Sequence, residues 1–298
     1  MKIFLAGAVH EVGKRVAYLL AQGKHQVTAA VENRAEARMV ARFGAKPLVL
    51  NPLNVNDVQA ALFGQDVVCN LATAAWNPEY WKKNEMLRRA LSMSLAHGAL
   101  KNRVPRFIQE SSTLVYADGG EQGITEESRW RPGPLTSSAV WVERNALELE
   151  KIGTTAVVLR FGSAYSADSS LTRFLLRFAR FGYYMQPGSP DGYVSTIHAD
   201  DAATAVVAAL SAPTGIYNVV EDKALLRRES AQALAEAMGR SNLGIPSGFV
   251  RDWVCPRVED AGSSLKVLND KFKTTTGWKP KYPSPREGWK AVVQQANK

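Results

Sequence analysis

Gly7 and Gly13 bracket the stretch Ala8-Val9-His10-Glu11-Val12, which leads from a short apolar run into an amphipathic one. Glycines in such a turn let backbone approach a phosphate. The first N–H groups of the helix that follows have no partner inside it, so the turn and the helix end suit the pyrophosphate of a dinucleotide. His10 places an imidazole in the middle of the turn, where it can either hydrogen-bond a phosphate or fill part of the site. Glu32 follows the second apolar run; its charge suits ribose hydroxyls and repels a 2′-phosphate. Arg34 would attract that phosphate, so Glu32 argues for NAD and Arg34 for NADP, with NAD preferred; both are otherwise ordinary loop charges. Hydroxyls that could exchange a proton with a small substrate are Tyr116, Tyr165 and Tyr80, and Ser112 is a strand-end hydroxyl, each with packing or capping as its plainer role. Arg144 stays charged at any relevant pH, so it can clamp an anion or ribose, or pair with Glu148 one helical turn on. His198, Asp200 and Asp201 read as a strand end and a helix N-cap. The four histidines, His10, His25, His97 and His198, show no metal-ligand spacing.

These groups need a scaffold that gathers them at one edge. Residues 2–6, 27–31, 45–50, 66–72, 106–111 and 155–160 read as strands. Helical patterns separate them at 14–21, 56–63 (capped near Asn54 or Asn56), 84–100 and 137–150. Strands alternating with helices imply right-handed crossovers and an α/β, doubly wound parallel sheet of Rossmann type. The second half predicts a helix at 171–181, a strand at 193–197, a helix at 201–210, a strand at 216–220 and a helix at 228–238 ending on Gly239. The proline- and aromatic-rich tail, 276–289, reads as a lid or cap. A dinucleotide-binding core of residues 1–162, rejoined by 193–212, with a smaller C-terminal substrate lobe of 163–192 and 213–298, follows.

Composition is ordinary for a globular chain: 46% apolar and 22% charged over 298 residues. No apolar run is long enough to span a bilayer, and the widely separated Cys69 and Cys255 suit reduced, buried thiols in a cytoplasmic protein. The net charge of +9 is concentrated at the end, with eight basic residues against two acidic ones from Lys266 to Lys298. That favours an anionic substrate as partner; no nucleic-acid motif accompanies it.

Several segments, taken in order, resemble the extended short-chain dehydrogenase/reductases of the NAD-dependent epimerase/dehydratase type. They are the turn Gly7 to Gly13, Asn70-Leu71-Ala72, the run Arg106 to Tyr116, Leu159-Arg160-Phe161-Gly162, Ile197 to Ala203 and Gly277-Trp278-Lys279-Pro280. The resemblance implies cofactor contacts from Gly7, His10, Glu11, Val12, Gly13, Leu71, Ala72 and Arg144, with Asn51 where the family has an adenine-binding aspartate. His10 stands where the family has its middle glycine. Ser112 takes the place of the substrate-binding serine. The family's tyrosine and its lysine four residues later fall on Val140 and Arg144, and no Tyr-x-x-x-Lys occurs anywhere in the chain. The expected activity is an oxidoreductase or epimerase acting on a small polar or sugar-like molecule, with NAD or NADP. A non-redox lyase or dehalogenase-like enzyme, and a non-catalytic dinucleotide sensor, remain as alternatives. Helix-mediated homodimerisation is implied by the resemblance alone.

Overall fold

Alternation along the first strand sets the layers. In β1 (Lys2–Ala6) Ile3 and Leu5 face one helical layer, while Phe4 and Ala6 face the other. A strand with both faces apolar must be covered on both sides, and that produces a doubly wound sheet. The computed structural model describes residues 1–51, 53–72, 81–134, 136–246 and 262–296, with backbone only at 81–84.

The first half runs β1, α1 (Glu11–Gln22), β2 (Gln26–Val31), α2 (Arg34–Arg42), β3 (Lys46–Val49), α3 (Val55–Ala61), β4 (Val67–Asn70), α4 (Trp81–Asn102) and β5 (Arg106–Ser112). It continues through β6 (Gly123–Ile124), α5 (Ser137–Leu147) and β7 (Thr155–Phe161). The second half holds β8 (Ser163–Tyr165), α6 (Ser170–Arg180), β9 (Tyr193–Val194), β10 (Thr196–His198), α7 (Ala199–Ala208) and β11 (Gly215–Val219). Then come β12 (Leu225–Leu226), α8 (Arg227–Ala237), β13 (Lys266–Val267), α9 (Asp270–Thr276) and α10 (Pro285–Ala296).

Seven strands form one parallel sheet in the order β11-β7-β5-β4-β1-β2-β3. The order reverses between β1 and β4, and the crevice at their C-terminal ends is where such sheets bind ligands. β11 pairs with β7 at the edge, so the main sheet extends into the 213–298 segment expected to lie wholly in the lobe. Below it, Tyr165, Leu175, Leu176, Tyr184, Met185, Leu234 and Trp289 form a separate buried cluster among α6, α8 and α10.

Several expectations are corrected. α2 was not anticipated: its sequence is mostly polar and only Val40 is buried, so little apolar periodicity marks it. The single strand expected at 193–197 is two strands, β9 antiparallel to β12 and β10 parallel to β8. The change of partner is made at Ser195, whose hydroxyl donates to Leu265 O (2.7 Å) and accepts from Val267 N (3.0 Å). The N-cap of α7 is His198, whose Nδ1 accepts from Asp200 N at 3.2 Å, while Asp200 and Asp201 fall in the first turn. Asp201 instead accepts from Lys281 N and Tyr282 N (2.8 and 2.9 Å), stitching the tail down. The tail is no lid: Trp278 and Trp289 are buried, and the Trp278 indole N–H donates to Thr204 in α7 at 3.0 Å.

Candidate functional site

The glycine turn is fixed by close backbone packing. Gly7 has φ +85°, and a Cβ on it would lie 2.3 Å from Leu71 O; a Cβ on Gly13 would lie 2.0 Å from Gly7 O. Strand ends and helix start are thus pressed together as a cradle that no side chain can enter. The middle position is different. His10 has φ −77°, which any residue adopts, and its own N–H donates to Gly7 O at 3.1 Å. A side chain is therefore tolerated there. Burial pushes the His10 imidazole below its usual pKa, against the raising charges of Glu36 and Glu32. It is neutral at physiological pH and stands beside the end of β2.

The N–H groups of Glu11 and Val12 open α1 and face no intrahelical acceptor. Side chains here have other work. The Glu11 carboxyl is turned toward Ser166, 3.4 Å away, and burial raises the Glu11 pKa; the Ser166 proton goes to Asp168 at 2.7 Å. Lys14 and Arg15 hold Asp168, and Arg15 also reaches Asp200 at 2.6 Å. Against its own desolvation, hydrogen bonds from Arg15, Lys14 and Ser166 keep the Asp168 carboxyl far below the ordinary range. These ties fasten the start of α1 to the lobe.

Glu32 is exposed just beyond β2, and its N–H donates to Glu36 at 2.8 Å. Asn33 caps α2, which leaves Arg34 exposed at the helix start. Both candidate ribose-end residues therefore follow the C-terminal end of β2, with exposed side chains. Asn51 accepts from Leu53 N with its side-chain oxygen (3.0 Å), closing the turn before α3, and keeps its NH₂ to donate. Leu71 buries its side chain in the core and presents backbone to Gly7, while Ala72 N donates to Asn70 at 3.3 Å.

Ser112 ends β5. Its oxygen accepts from Leu114 N at 3.2 Å, capping a short turn, and as an acceptor there it keeps its own O–H to donate. Val140 and Arg144 both lie on the exposed face of α5. The Arg144 guanidinium makes no hydrogen bond or ion pair with the described residues; the partner of Glu148 is Lys151. Tyr116 does not reach the crevice. Its hydroxyl donates to Asn218 (2.7 Å) and accepts from Arg160 (2.7 Å), and burial pushes its pKa up to about 12 despite that cation. The Tyr165 hydroxyl is 2.5 Å from Glu221, and burial and that carboxyl hold its pKa well above the usual value. Neither tyrosine is poised as an acid, which corrects the roles expected of them. Tyr80 and the aromatic loop around it lie outside the described residues.

Two buried clusters were missed. Arg160 and Glu143 form a two-pronged ion pair (3.0 and 2.8 Å), with Ser111 donating to the same carboxylate at 2.5 Å. Glu221 receives Tyr165 and Thr196 (2.5 and 2.6 Å) beside a cavity that opens to solvent. Ser163 and Leu114 border that cavity. Leu114 is two residues past Ser112, and Ser163 is two past Phe161, the register partner of Ser112, so the cavity adjoins the crevice.

A family profile described as NAD(P)H-binding matches residues 7–213. The chain belongs to this NAD(P)H-binding family. A 3-diazoavenalumate denitrifying reductase of Streptomyces is 25% identical across 97% of this chain and 99% of its own. An epimerase family protein of Staphylococcus aureus is 31% identical over 48% of this chain and 50% of its own. Among solved structures, the human epimerase family protein SDR39U1 with NADPH aligns with a TM-score of 0.77 at 20% identity, covering 99% of each chain. The UDP-glucose 4-epimerase of Thermotoga maritima aligns with a TM-score of 0.81 at 18% identity, covering 99% of this chain and 98% of its own. At such identities the structural likeness speaks for the fold.

The cofactor is NAD(P), and the geometry fits it: a glycine cradle at the switch point and open helix N–H groups. Gly13→Ala should cost about 1–3 kcal/mol of stability through overpacking. Because the clash would push Gly7 away from Gly13, NADPH binding should weaken at least about tenfold. Chemical unfolding and calorimetry check the two effects; a variant that binds NADPH normally would place the cofactor elsewhere.

Proposed function

We propose that this chain is an NAD(P)H-dependent reductase of a small molecule, working without an enzyme tyrosine as acid. The observation that carries the reading is the pairing of an intact glycine cradle with Val140 and Arg144 at the positions where the family resemblance puts tyrosine and lysine. Bound nicotinamide supplies a hydride. Ser112 orients the acceptor through its O–H, and Arg144 holds a ribose hydroxyl or an anionic group of the substrate. Valine cannot move a proton, and arginine keeps its own. An epimerase must remove a proton and return it, so the replacement argues against epimerisation. Reduction of a strongly electrophilic acceptor needs only the hydride, with any proton drawn from water. The denitrifying reductase matched along nearly its whole length supports reduction over epimerisation.

No helix among the described residues is long and apolar enough to cross a membrane. Met86, Met93 and Trp141, exposed on α4 and α5, support the homodimer that the family resemblance implies.

The test is calorimetry with NADH and NADPH, followed by cofactor oxidation in the presence of an arenediazonium salt or a quinone. At least one dinucleotide should bind. Ser112→Ala should lower turnover roughly 10- to 100-fold with dinucleotide affinity unchanged. No heat from either dinucleotide, or full turnover in the variant, would remove the proposal.

A further inference from the structure

The cavity beside Ser112 is walled by rings and hydrocarbon. Phe174, Tyr184, Tyr193 and Trp289 line it, joined by Leu171 and Met185. Four of the hydroxyls in its wall are paired within the protein. Tyr165 and Thr196 give theirs to Glu221, at 2.5 and 2.6 Å. Ser195 gives its proton to Leu265 O at 2.7 Å. Tyr184 gives its own to Gln186 and shares a second contact, 2.8 Å, with Ser230. Arg227 also borders the space, and it is built into the lobe: it donates to Ser263 O at 2.8 Å, and Cβ atoms on Gly188 or Gly192 would meet its guanidinium at 2.5 Å.

A nucleotide sugar brings phosphate and hydroxyl oxygens that must each find a donor. Four wall hydroxyls have already committed theirs. Beside the remaining polar groups, among them Ser163, Gln186 and Tyr193, the wall presents ring faces and edges, a thioether and methyl groups, which suit a flat apolar ring with a polar substituent. We infer that this cavity takes an aryl-bearing small molecule, with its ring among Phe174, Tyr184 and Trp289 and its reducible end toward Ser163 and Ser112. This rests on the reductase reading above for its reactive end, but the binding it describes does not need the cofactor. It replaces the sugar-like substrate expected from the family resemblance.

Binding is measured without cofactor, by equilibrium dialysis of the full chain with 4-hydroxycinnamate, cinnamyl alcohol and UDP-glucose. At least one aryl probe should bind about tenfold tighter than UDP-glucose. Phe174→Ala, which removes a partly exposed ring, should weaken that probe about tenfold. Leu171→Trp, which fills the space, should do the same, and both variants should unfold cooperatively in urea and keep whichever of NADH and NADPH binding the natural chain shows. UDP-glucose binding as tightly as both aryl probes, no binding of either aryl probe, or aryl binding indifferent to both substitutions would overturn the inference. Loss of the reductase reading shows differently, as absence of NADH and NADPH binding with the aryl site intact.

Discussion

Arg160→Met should lower the unfolding free energy by roughly 3–5 kcal/mol, one of the largest losses available to a single substitution in this chain. Arg160 and Glu143 are 0% and 2% exposed at their side chains. The pair is worth little against a well-packed apolar replacement, because two ions were desolvated to make it. Breaking one side is another matter, since the survivor is left buried without its counter-charge. Here the survivor is Glu143, whose pKa burial already raises against the pull of Arg160 and the hydrogen bond from Ser111. Arg160 also stacks on Trp130 and Tyr116, at 4.2 and 5.0 Å from the ring centres, so its loss removes packing as well as charge. Glu143→Leu combined with Arg160→Met should recover most of the loss. Urea unfolding of the single and double variants separates the cases. If the double variant is as unstable as Arg160→Met alone, packing and not a stranded carboxylate is the cause. Ser111 adjoins Ser112 on β5, so the single variant should also loosen the crevice and reduce turnover beyond its effect on folding.

The parts of the molecule legible in the sequence are those that local order determines. Strand, glycine turn and helix at the start follow each other within two dozen residues, and their burial pattern is written in alternation and periodicity. The Gly7 and Gly13 requirement was visible for the same reason, although its cause, contact with Leu71 O and Gly7 O, needed the fold. α2 escaped because a polar helix with one buried residue has no stripe to detect. The division at Ser195 escaped because a strand's partner is set by distant chain, here Leu225 and Ser163. The tyrosines were misjudged on position alone. Tyr116 and Tyr165 both follow sheet strands, as a ligand-facing group would, but what decides their chemistry lies far along the chain at Asn218, Arg160 and Glu221. No spacing rule links such residues. The absent Tyr-x-x-x-Lys was legible from composition, since it required only that every tyrosine be checked. What it means for the reaction required Arg144 to be seen on the exposed face of its helix.

Glu221→Gln should stabilise the protein in alkaline solution and leave it nearly unchanged in acid. Burial pushes the Glu221 carboxyl up to about 8, against the hydrogen bonds from Thr196 and Tyr165 and with the help of the nearby Asp201 and Glu287 charges. In the unfolded chain a glutamate titrates near 4.3. Between those values the native protein keeps a proton that the unfolded chain has lost, so stability falls as pH rises through the window and levels off above about 8. The full span is about 5 kcal/mol as an upper limit. His198 acts in the opposite sense lower down. Burial lowers its pKa to about 4, so the unfolded chain binds the extra proton, and stability rises with pH until the ordinary histidine range near 6.5 is passed. The clean window for Glu221 is therefore from about 6.5 to about 8. Glutamine copies the protonated acid, an amide oxygen accepting from one hydroxyl and the NH₂ donating to the other. Urea unfolding across that window should show a falling stability for the natural chain and a flatter line for the variant, the gap closing only as pH falls to the ordinary glutamate range near 4.3. Parallel lines would mean that Glu221 is ionised in the native state throughout, and that Tyr165 and Thr196 hold a carboxylate where the burial argument requires an acid.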